Sequence, residues 1–301
     1  MTVKPISETS SHGGAQVISR LGRGARVVAR ERILLIGIVI VSGFIIMTIL
    51  GQVPGFTPYD PIQYRSAPRL QGPSAQHWMG TDQLQRDVFS RVISGGKASL
   101  IVAFSAVAIS MVGGSVLGWI SGFFGGWLDR GLSLAMDALY SFPSIILAIT
   151  LVVVLGAGLQ PMIWSVAIVY VPTYFRVSRA EVLKVRETTY IEAIRAVGAS
   201  RTRIVLRHMA PNTVNAIMAV SSFNLADAIL TVAALSFLGF GLPPPAPDWG
   251  FDIQNGQKYL QSGSWWLITF PGLMIVFLSL GFGLIGEGVS DLVNPKRRHK
   301  I

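Results

Sequence analysis

The sequence contains no cysteine and little charge. Only 13% of its 301 residues are Asp, Glu, Lys or Arg, whereas 51% are hydrophobic. The absence of cysteine excludes disulfides, thiolate nucleophiles and cysteine metal sites. A soluble domain usually carries about 25% charged residues, so the low value indicates a chain whose main solvent is the lipid bilayer.

Motifs for nucleotide binding and hydrolysis are also absent. The sequence has no GxxxxGK[ST] loop, no HExxH helix and no GxSxG nucleophile turn. The four histidines, at positions 12, 77, 208 and 299, lie far apart along the chain. We therefore predict that the chain is not an enzyme and holds no metal or cofactor of its own.

Six apolar stretches are candidates for membrane-spanning helices, which need about 20 mostly apolar residues each. They are residues 33–51, 98–120, 138–159, 161–175, 213–239 and 265–286. The third contains Pro143, and the fourth is short and contains Pro172. The pattern predicts an all-α polytopic membrane protein with six transmembrane helices.

Lys and Arg residues are unequally distributed between the connecting segments. If the N-terminus is cytoplasmic, nineteen of the 25 basic residues fall on the cytoplasmic side. Because short cytoplasmic loops carry an excess of basic residues, we predict that both termini are cytoplasmic. The net charge of +10 then follows one membrane face. No nucleic-acid-binding motif accompanies it, so we predict no nucleic-acid partner.

The predicted spans divide the chain into four parts. These are a basic cytoplasmic segment (1–32), the first span with an extracytoplasmic loop (33–97), a core with a cytoplasmic loop at 176–212 (98–295), and a basic cytoplasmic tail (296–301). Within the extracytoplasmic loop, apolar residues recur at helical spacing from Leu84 to Ile93. That spacing predicts an amphipathic helix on the outer membrane surface.

The charged loop between the fourth and fifth predicted spans is the most informative segment. Residues 191–197 (IEAIRAV) have apolar positions at helical spacing, and residues 200–209 (SRTRIVLRHM) repeat the pattern with Ser200 as a plausible N-cap. Gly198 predicts a left-handed turn between them, and Pro211 ends the second helix or begins the next span. This predicts a helix–turn–helix. From these residues alone, docking on a protein and lying on lipid headgroups both remain open.

The segment EAIRAVGASRTRIVLRHMAPN resembles the EAA loop of permease subunits of ATP-binding-cassette importers, whose pattern is E-A-A, then G, then I-x-L-P. The matching residues are Glu192, Ala193, Gly198, Ile204, Leu206 and Pro211. Ile194 replaces the second Ala, and four residues separate Leu206 from Pro211. That longer ending is typical of the dipeptide, oligopeptide and nickel branch. Four other stretches resemble the same branch, among them HWMGTDQLQRDVFSRVISGGKASL and ALSFLGFGLPPPAPDWG.

The resemblance implies a MetI-like fold of type I importers in a bacterial inner membrane. It implies a permease subunit for dipeptides or oligopeptides. Nickel, glutathione or another small solute is the alternative within the class, and a stand-alone secondary transporter or channel is the alternative outside it. In this family the loop is a coupling helix that docks on an ATPase, so Glu192 is expected to contact the ATPase and Gly198 to form the turn.

The same resemblance implies a set of partners besides the lipid bilayer. They are a second permease subunit in a heterodimer, two cytoplasmic ATP-binding subunits and an extracytoplasmic substrate-binding protein. ATP and Mg²⁺ are expected on the ATPase subunits and not on this chain.

Asp227 lies near the middle of the fifth predicted span. An unpaired acid at that depth costs about 2.5–3.5 kcal/mol on insertion scales, so it should not face lipid. One interpretation places Asp227, together with Asn224, on the translocation path. The other is a hydrogen bond that holds helices together, for example with Asn224 three residues earlier.

Overall fold

The computed structural model describes residues 32–65 and 67–293, among which all regular structure is helical and no β-strand occurs. The helices are α1 (Arg32–Leu50), α2 (Val88–Phe124), α3 (Gly126–Tyr140), α4 (Ser144–Leu155), α5 (Leu159–Arg186), α6 (Thr189–Ala196), α7 (Arg201–Ile204), α8 (Ala210–Leu235), α9 (Trp249–Gly256) and α10 (Trp266–Val293). Short π-helical segments, Val205–Met209 and Ser236–Phe240, precede and follow α8. Apart from Arg32, the predicted basic segments 1–32 and 296–301 lie outside the described residues.

Four helices in the described part of the chain are long and apolar enough to cross a membrane. They are α1, α2, the continuous helix Arg201–Phe240 and α10. The pair formed by α3 and α4 adds a fifth candidate, bent by 93° at its break. The predicted number of six is therefore not confirmed. α5 has 28 residues, but Pro172 and a charged C-terminal part make it less apolar than these four.

The third predicted span is interrupted at Pro143. α3 ends at Tyr140 and α4 begins at Ser144, directly after the proline. Proline lacks a backbone N–H and disfavours helical geometry in the residue before it, which explains the break. The apolar stretch at 138–159 therefore contains the end of α3 and the 12 residues of α4 instead of one straight helix.

The predicted separate helix on the outer membrane surface is wrong. α2 begins at Val88, where the Asp87 carboxylate accepts a hydrogen bond from the next turn, and continues unbroken to Phe124. Val88 and Val92 are buried in a cluster with Trp266 of α10. These apolar positions face another helix instead of lipid headgroups, because the segment is the first part of a long bundle helix.

α2 makes its most extensive contact with α5, and glycine makes the close approach possible. Gly114, Gly118 and Gly122 recur at every fourth residue of α2. A Cβ atom at Gly114 would lie 2.5 Å from the Val171 carbonyl oxygen, and one at Gly118 would lie 2.6 Å from that of Phe175. Small residues at this spacing let membrane helices bring their backbones together.

A buried ion pair joins the first turns of α2 to α9. The Arg91 Nη2 atom lies 2.7 Å from Asp252 Oδ1, and its Nε donates to both carboxylate oxygens at 3.2 Å. Arg91 Nη1 also donates to the carbonyl oxygens of Pro61 at 2.9 Å and Pro245 at 3.3 Å. The Arg91 guanidinium thus connects α2 to α9 and to the two segments that contain Pro61 and Pro245. Burial raises the pKa of the Asp252 carboxyl, and Arg91 opposes this increase.

Candidate functional site

An apolar cluster fastens the loop between α5 and α8 to the ends of the long helices. Ile191 of α6 and Ile204 of α7 are almost fully buried, and they pack with Val182, Phe123 and Met209. Phe123 belongs to the last turn of α2, and Val182 to the last turns of α5. A displacement of the loop is therefore passed to both helices through side-chain packing.

The structure confirms the predicted helix–turn–helix. Gly198 has a φ of +78° in the turn after α6. This left-handed conformation carries no Cβ penalty for glycine and ends helices frequently. The Ser200 hydroxyl oxygen accepts a hydrogen bond of 3.4 Å from the backbone N–H of Arg203, so Ser200 is the N-cap that the sequence predicts for α7.

The second helix of the motif does not end at Pro211. It continues through the π-helical segment Val205–Met209 into α8, with Pro211 in the first turn of that helix. Of the two predictions for Pro211, the beginning of the next span is confirmed. The second half of the loop, from Arg201, therefore continues without a break into α8, which belongs to a candidate membrane helix.

The residues matched to the EAA pattern differ in exposure. Those exposed to solvent are Glu192, Ala193, Gly198, Leu206 and Pro211, whereas Ile204 is 2% exposed. Two apolar side chains of the same loop are also exposed, Val197 at 83% and Leu206 at 60%. Helical periodicity alone groups Val197 with the buried residues of α6. It is exposed because α6 ends one residue earlier, at Ala196.

Glu192 lies in the first turn of α6, where a carboxylate interacts favourably with the helix dipole. No ion pair between Glu192 and Arg195, three residues later, is found among the described residues. The Arg195 guanidinium instead lies 5.6 Å from the centre of the Phe123 ring. α6 therefore presents to solvent a carboxylate without an ion-pair partner among the described residues, which suits recognition by another protein.

A cleft of about 410 Å³ contains both residues predicted for the translocation path. Asn224 and Asp227 of α8 line it together with Leu139, Tyr140, Phe142, Ser144, Leu147, Val169, Tyr170 and Thr173. The wall opposite α8 comes from the two sides of the break between α3 and α4. The bend at Pro143 thus forms part of the space beside α5 and α8.

The hydrogen-bond partner of Asp227 is Tyr170 of α5, whose hydroxyl donates to Asp227 Oδ2 at 2.7 Å. The predicted contact with Asn224 is therefore not the one that holds this carboxylate. Asn224 is buried at 9% exposure, and its Nδ2 atom has no hydrogen-bond partner in the described structure. The site thus combines the Asp227 carboxylate, which accepts a hydrogen bond from a neighbouring helix, with the buried amide of Asn224.

The sequence is similar to a family of transport proteins and to individual permeases. Residues 114–299 match the family described as binding-protein-dependent transport system inner membrane component. A dipeptide transport system permease protein of Alkalihalophilus pseudofirmus is 38% identical over 269 residues, covering 89% of this chain and 88% of that protein. A glutathione transport system permease protein of Pectobacterium atrosepticum is 38% identical over 240 residues, covering 79% of each.

A solved structure supports the fold. A chain described under inward facing conformations of the MetNI methionine ABC transporter aligns with a TM-score of 0.55 at 22% identity, covering 68% of this chain and 96% of that chain. The predicted MetI-like permease fold is confirmed. The chain belongs to the inner-membrane components of binding-protein-dependent transport systems, permeases that act with ATPase and substrate-binding partners.

Proposed function

We propose that the chain is a permease subunit of an ATP-driven importer of dipeptides or oligopeptides, and that the loop at 176–212 couples ATPase motion to the membrane helices. The observation that carries this proposal is the continuous helix that begins at Arg201 and includes all of α8, to Leu235. It bears the exposed Leu206 near one end and Asp227, in the cleft, about 30 Å further along. One rigid element therefore joins the docking surface to the cleft.

In the proposed mechanism, two ATPase subunits bind ATP and Mg²⁺ and close on each other. The exposed surface around Glu192 and Val197 sits in a groove of one ATPase subunit and follows its movement. The buried cluster around Ile191 transmits the displacement to α2 and α5, and α8 moves with them. The bundle and a second, related permease subunit then rock as rigid bodies between inward-open and outward-open states.

The proposed orientation places the loop and both termini in the cytoplasm. It follows from the excess of Lys and Arg in the segments on that side. An extracytoplasmic substrate-binding protein then delivers the solute to the opposite face. The chain itself supplies binding surface and movement, and hydrolysis takes place on its partners.

The cleft suits a solute that carries both an ammonium group and amide or carboxylate oxygens. Asp227 can accept from a peptide N-terminus, and the hydroxyl groups of Ser144 and Thr173, which line the same cleft, can donate to a peptide oxygen. The dipeptide and glutathione permeases are equally similar to this chain at 38% identity. Glutathione, a peptide with one unusual linkage, is therefore the second candidate solute, ahead of nickel.

The test is ATP-dependent uptake by proteoliposomes that contain the chain with its partner subunits. Glu192→Arg is expected to reduce uptake at least about tenfold and to weaken co-purification of the ATPase subunits. The substitution removes the carboxylate that contacts the ATPase and puts a positive charge in its place. Glu187→Arg is the matched control, because Glu187 is also exposed but precedes α6.

The two candidate solutes are separated by competition. Excess unlabelled dipeptide should abolish uptake of labelled dipeptide, whereas glutathione should not. Normal uptake and normal ATPase association in Glu192→Arg would contradict the coupling role.

A further inference from the structure

A basic pocket of about 450 Å³ lies between the loop and the end of α2. Three arginines, Arg186, Arg195 and Arg201, surround it, and Phe123 and Phe124 form an aromatic part of the wall. None of the described residues that line it is acidic. Three cations around one cavity repel each other, so a bound anion would stabilise the arrangement.

The arginines are positioned by uncharged groups instead of by acids. Arg186 Nη1 donates to the Gly122 carbonyl oxygen at 3.2 Å, at the end of α2. Arg195 lies over the face of Phe123. In the part of the chain that the structure describes, none of the three arginines forms an ion pair within 4.0 Å. No acidic side chain among the described residues therefore compensates their charges.

The pocket lies beside the end of a candidate membrane helix. Phe123 and Phe124 are the last two residues of α2, which is a candidate membrane helix. Trp127 follows within one turn and is 85% exposed. Tryptophan is enriched where membrane helices reach the headgroup region, and basic pockets between such helices on the cytoplasmic side bind phospholipid headgroups.

We propose that this pocket binds a phosphate group, and that its source is the headgroup of an anionic phospholipid. The planar guanidinium forks of Arg195 and Arg201 match phosphate oxygens. Phe124, half exposed, offers an apolar surface to the first carbons of the acyl chains. The lipid would lie against α6 and α7 and hold the loop in its docking position. This inference does not depend on which solute is transported.

The test is native mass spectrometry of the complete importer, purified with equal amounts of phosphatidylglycerol and phosphatidylcholine. The wild type is expected to retain phosphatidylglycerol selectively. Arg195→Gln with Arg201→Gln is expected to weaken retention on the order of 30-fold, the factor for losing two basic contacts near a lipid surface. Both residues are exposed, so their exchange should not disturb the fold.

Two variants serve as controls. Arg203→Gln with Arg207→Gln removes the same charge from exposed positions of the same loop and should leave retention unchanged. Arg195→Lys with Arg201→Lys keeps the charge and should restore much of the retention, since lysine also binds phosphate.

Three results would decide against the proposal or its source. Equal retention in the glutamine variant and its control would overturn the phosphate site. Loss of the ATPase subunits with phosphatidylglycerol still bound would show that these arginines bind protein carboxylates instead. Retention of inorganic phosphate by the wild type, with no selective retention of phosphatidylglycerol, would support the phosphate site but reject the lipid as its source.

Discussion

Tyr170 on α5 donates a hydrogen bond of 2.7 Å to Asp227 on α8, and both side chains line the same cleft. The Tyr170 hydroxyl also lies 3.3 Å from the Thr231 hydroxyl. This contact reduces the cost of an acid in a membrane helix, which is about 2.5–3.5 kcal/mol without a partner. Asp227 Oδ2 is thereby held between two helices, while the side chain stays exposed to the cleft.

Replacing the two partners should separate structure from transport. Tyr170→Phe removes one hydrogen bond and should lower the free energy of unfolding by about 1 kcal/mol, with uptake largely kept. Asp227→Asn keeps an acceptor for Tyr170 but removes the charge, so uptake of free-amine dipeptides should fall at least about tenfold. ATP hydrolysis should stay near normal in both variants, and this result would show that the complex still assembles. Normal uptake by Asp227→Asn would exclude a substrate contact there.

Two adjacent glycines of α2 provide a test of the close contact with α5. A Cβ atom at Gly114 would lie 2.5 Å from the Val171 backbone oxygen, whereas a Cβ atom at Gly113 would meet nothing within 4 Å. Gly114→Ala should therefore destabilise the chain by about 1–3 kcal/mol. Gly113→Ala should be neutral or stabilising by up to about 1 kcal/mol. Thermal unfolding of the two variants in detergent measures both effects, and equal melting temperatures would contradict the close contact between Gly114 and Val171.

Local signals explain what the sequence predicted well. The first span, expected at 33–51, is observed as Arg32–Leu50, because a long apolar run needs no tertiary information to be recognised. The turn at Gly198 and the cap at Ser200 were also predicted, since left-handed geometry and N-capping act within a few residues. The shape of the loop between α5 and α8 was therefore largely predictable.

The features that could not be predicted from the sequence depend on contacts between residues that are distant along the chain. Tyr170 and Asp227 are 57 positions apart, so nothing local indicates their pairing. The exposure of Val197 depends on where α6 ends, and helix ends are the least certain part of a pattern. The repeat of Gly114, Gly118 and Gly122 was a usable signal for the contact between α2 and α5 that period and hydropathy alone do not reveal.

Removing Arg91 should have a larger effect than removing an exposed cation. The side chains of Arg91 and Asp252 are 2% and 14% exposed, so Arg91→Met leaves a buried carboxylate without its partner. The expected loss is about 3–5 kcal/mol. Lys184→Met, which breaks an exposed pair with Glu181, should cost no more than about 1 kcal/mol. Thermal unfolding of both variants checks the difference, and a similar loss in each would contradict it.

The loss of stability caused by Arg91→Met should also depend on pH. Burial raises the pKa of Asp252, and without Arg91 only the smaller effect of the Arg86 charge opposes that increase. A carboxyl whose pKa is raised in the folded state favours folding at low pH and loses that contribution as the pH rises through the folded-state pKa. The melting temperatures of the variant and the wild type should therefore differ less at about pH 5 than at about pH 8. A difference that does not change with pH would argue against protonation of Asp252.

Gly198 tests whether the shape of the loop, and not only its charge, is needed for coupling. A Cβ atom there would meet nothing within 4 Å, so Gly198→Ala introduces backbone strain alone at a φ of +78°. That strain costs about 1–2 kcal/mol, which should weaken binding of the ATPase subunits about five- to thirtyfold if they require this conformation.

Two further variants make that result specific to the turn. Gly131→Ala adds the same methyl group in open space on α3, without a left-handed backbone, and should bind normally. Gly198→Asn should recover part of the affinity, since asparagine tolerates left-handed geometry better than alanine. Equal ATPase affinity for Gly198→Ala and Gly131→Ala would mean that the ATPase does not recognise this turn, and docking would then rest on the exposed side chains of α6 alone.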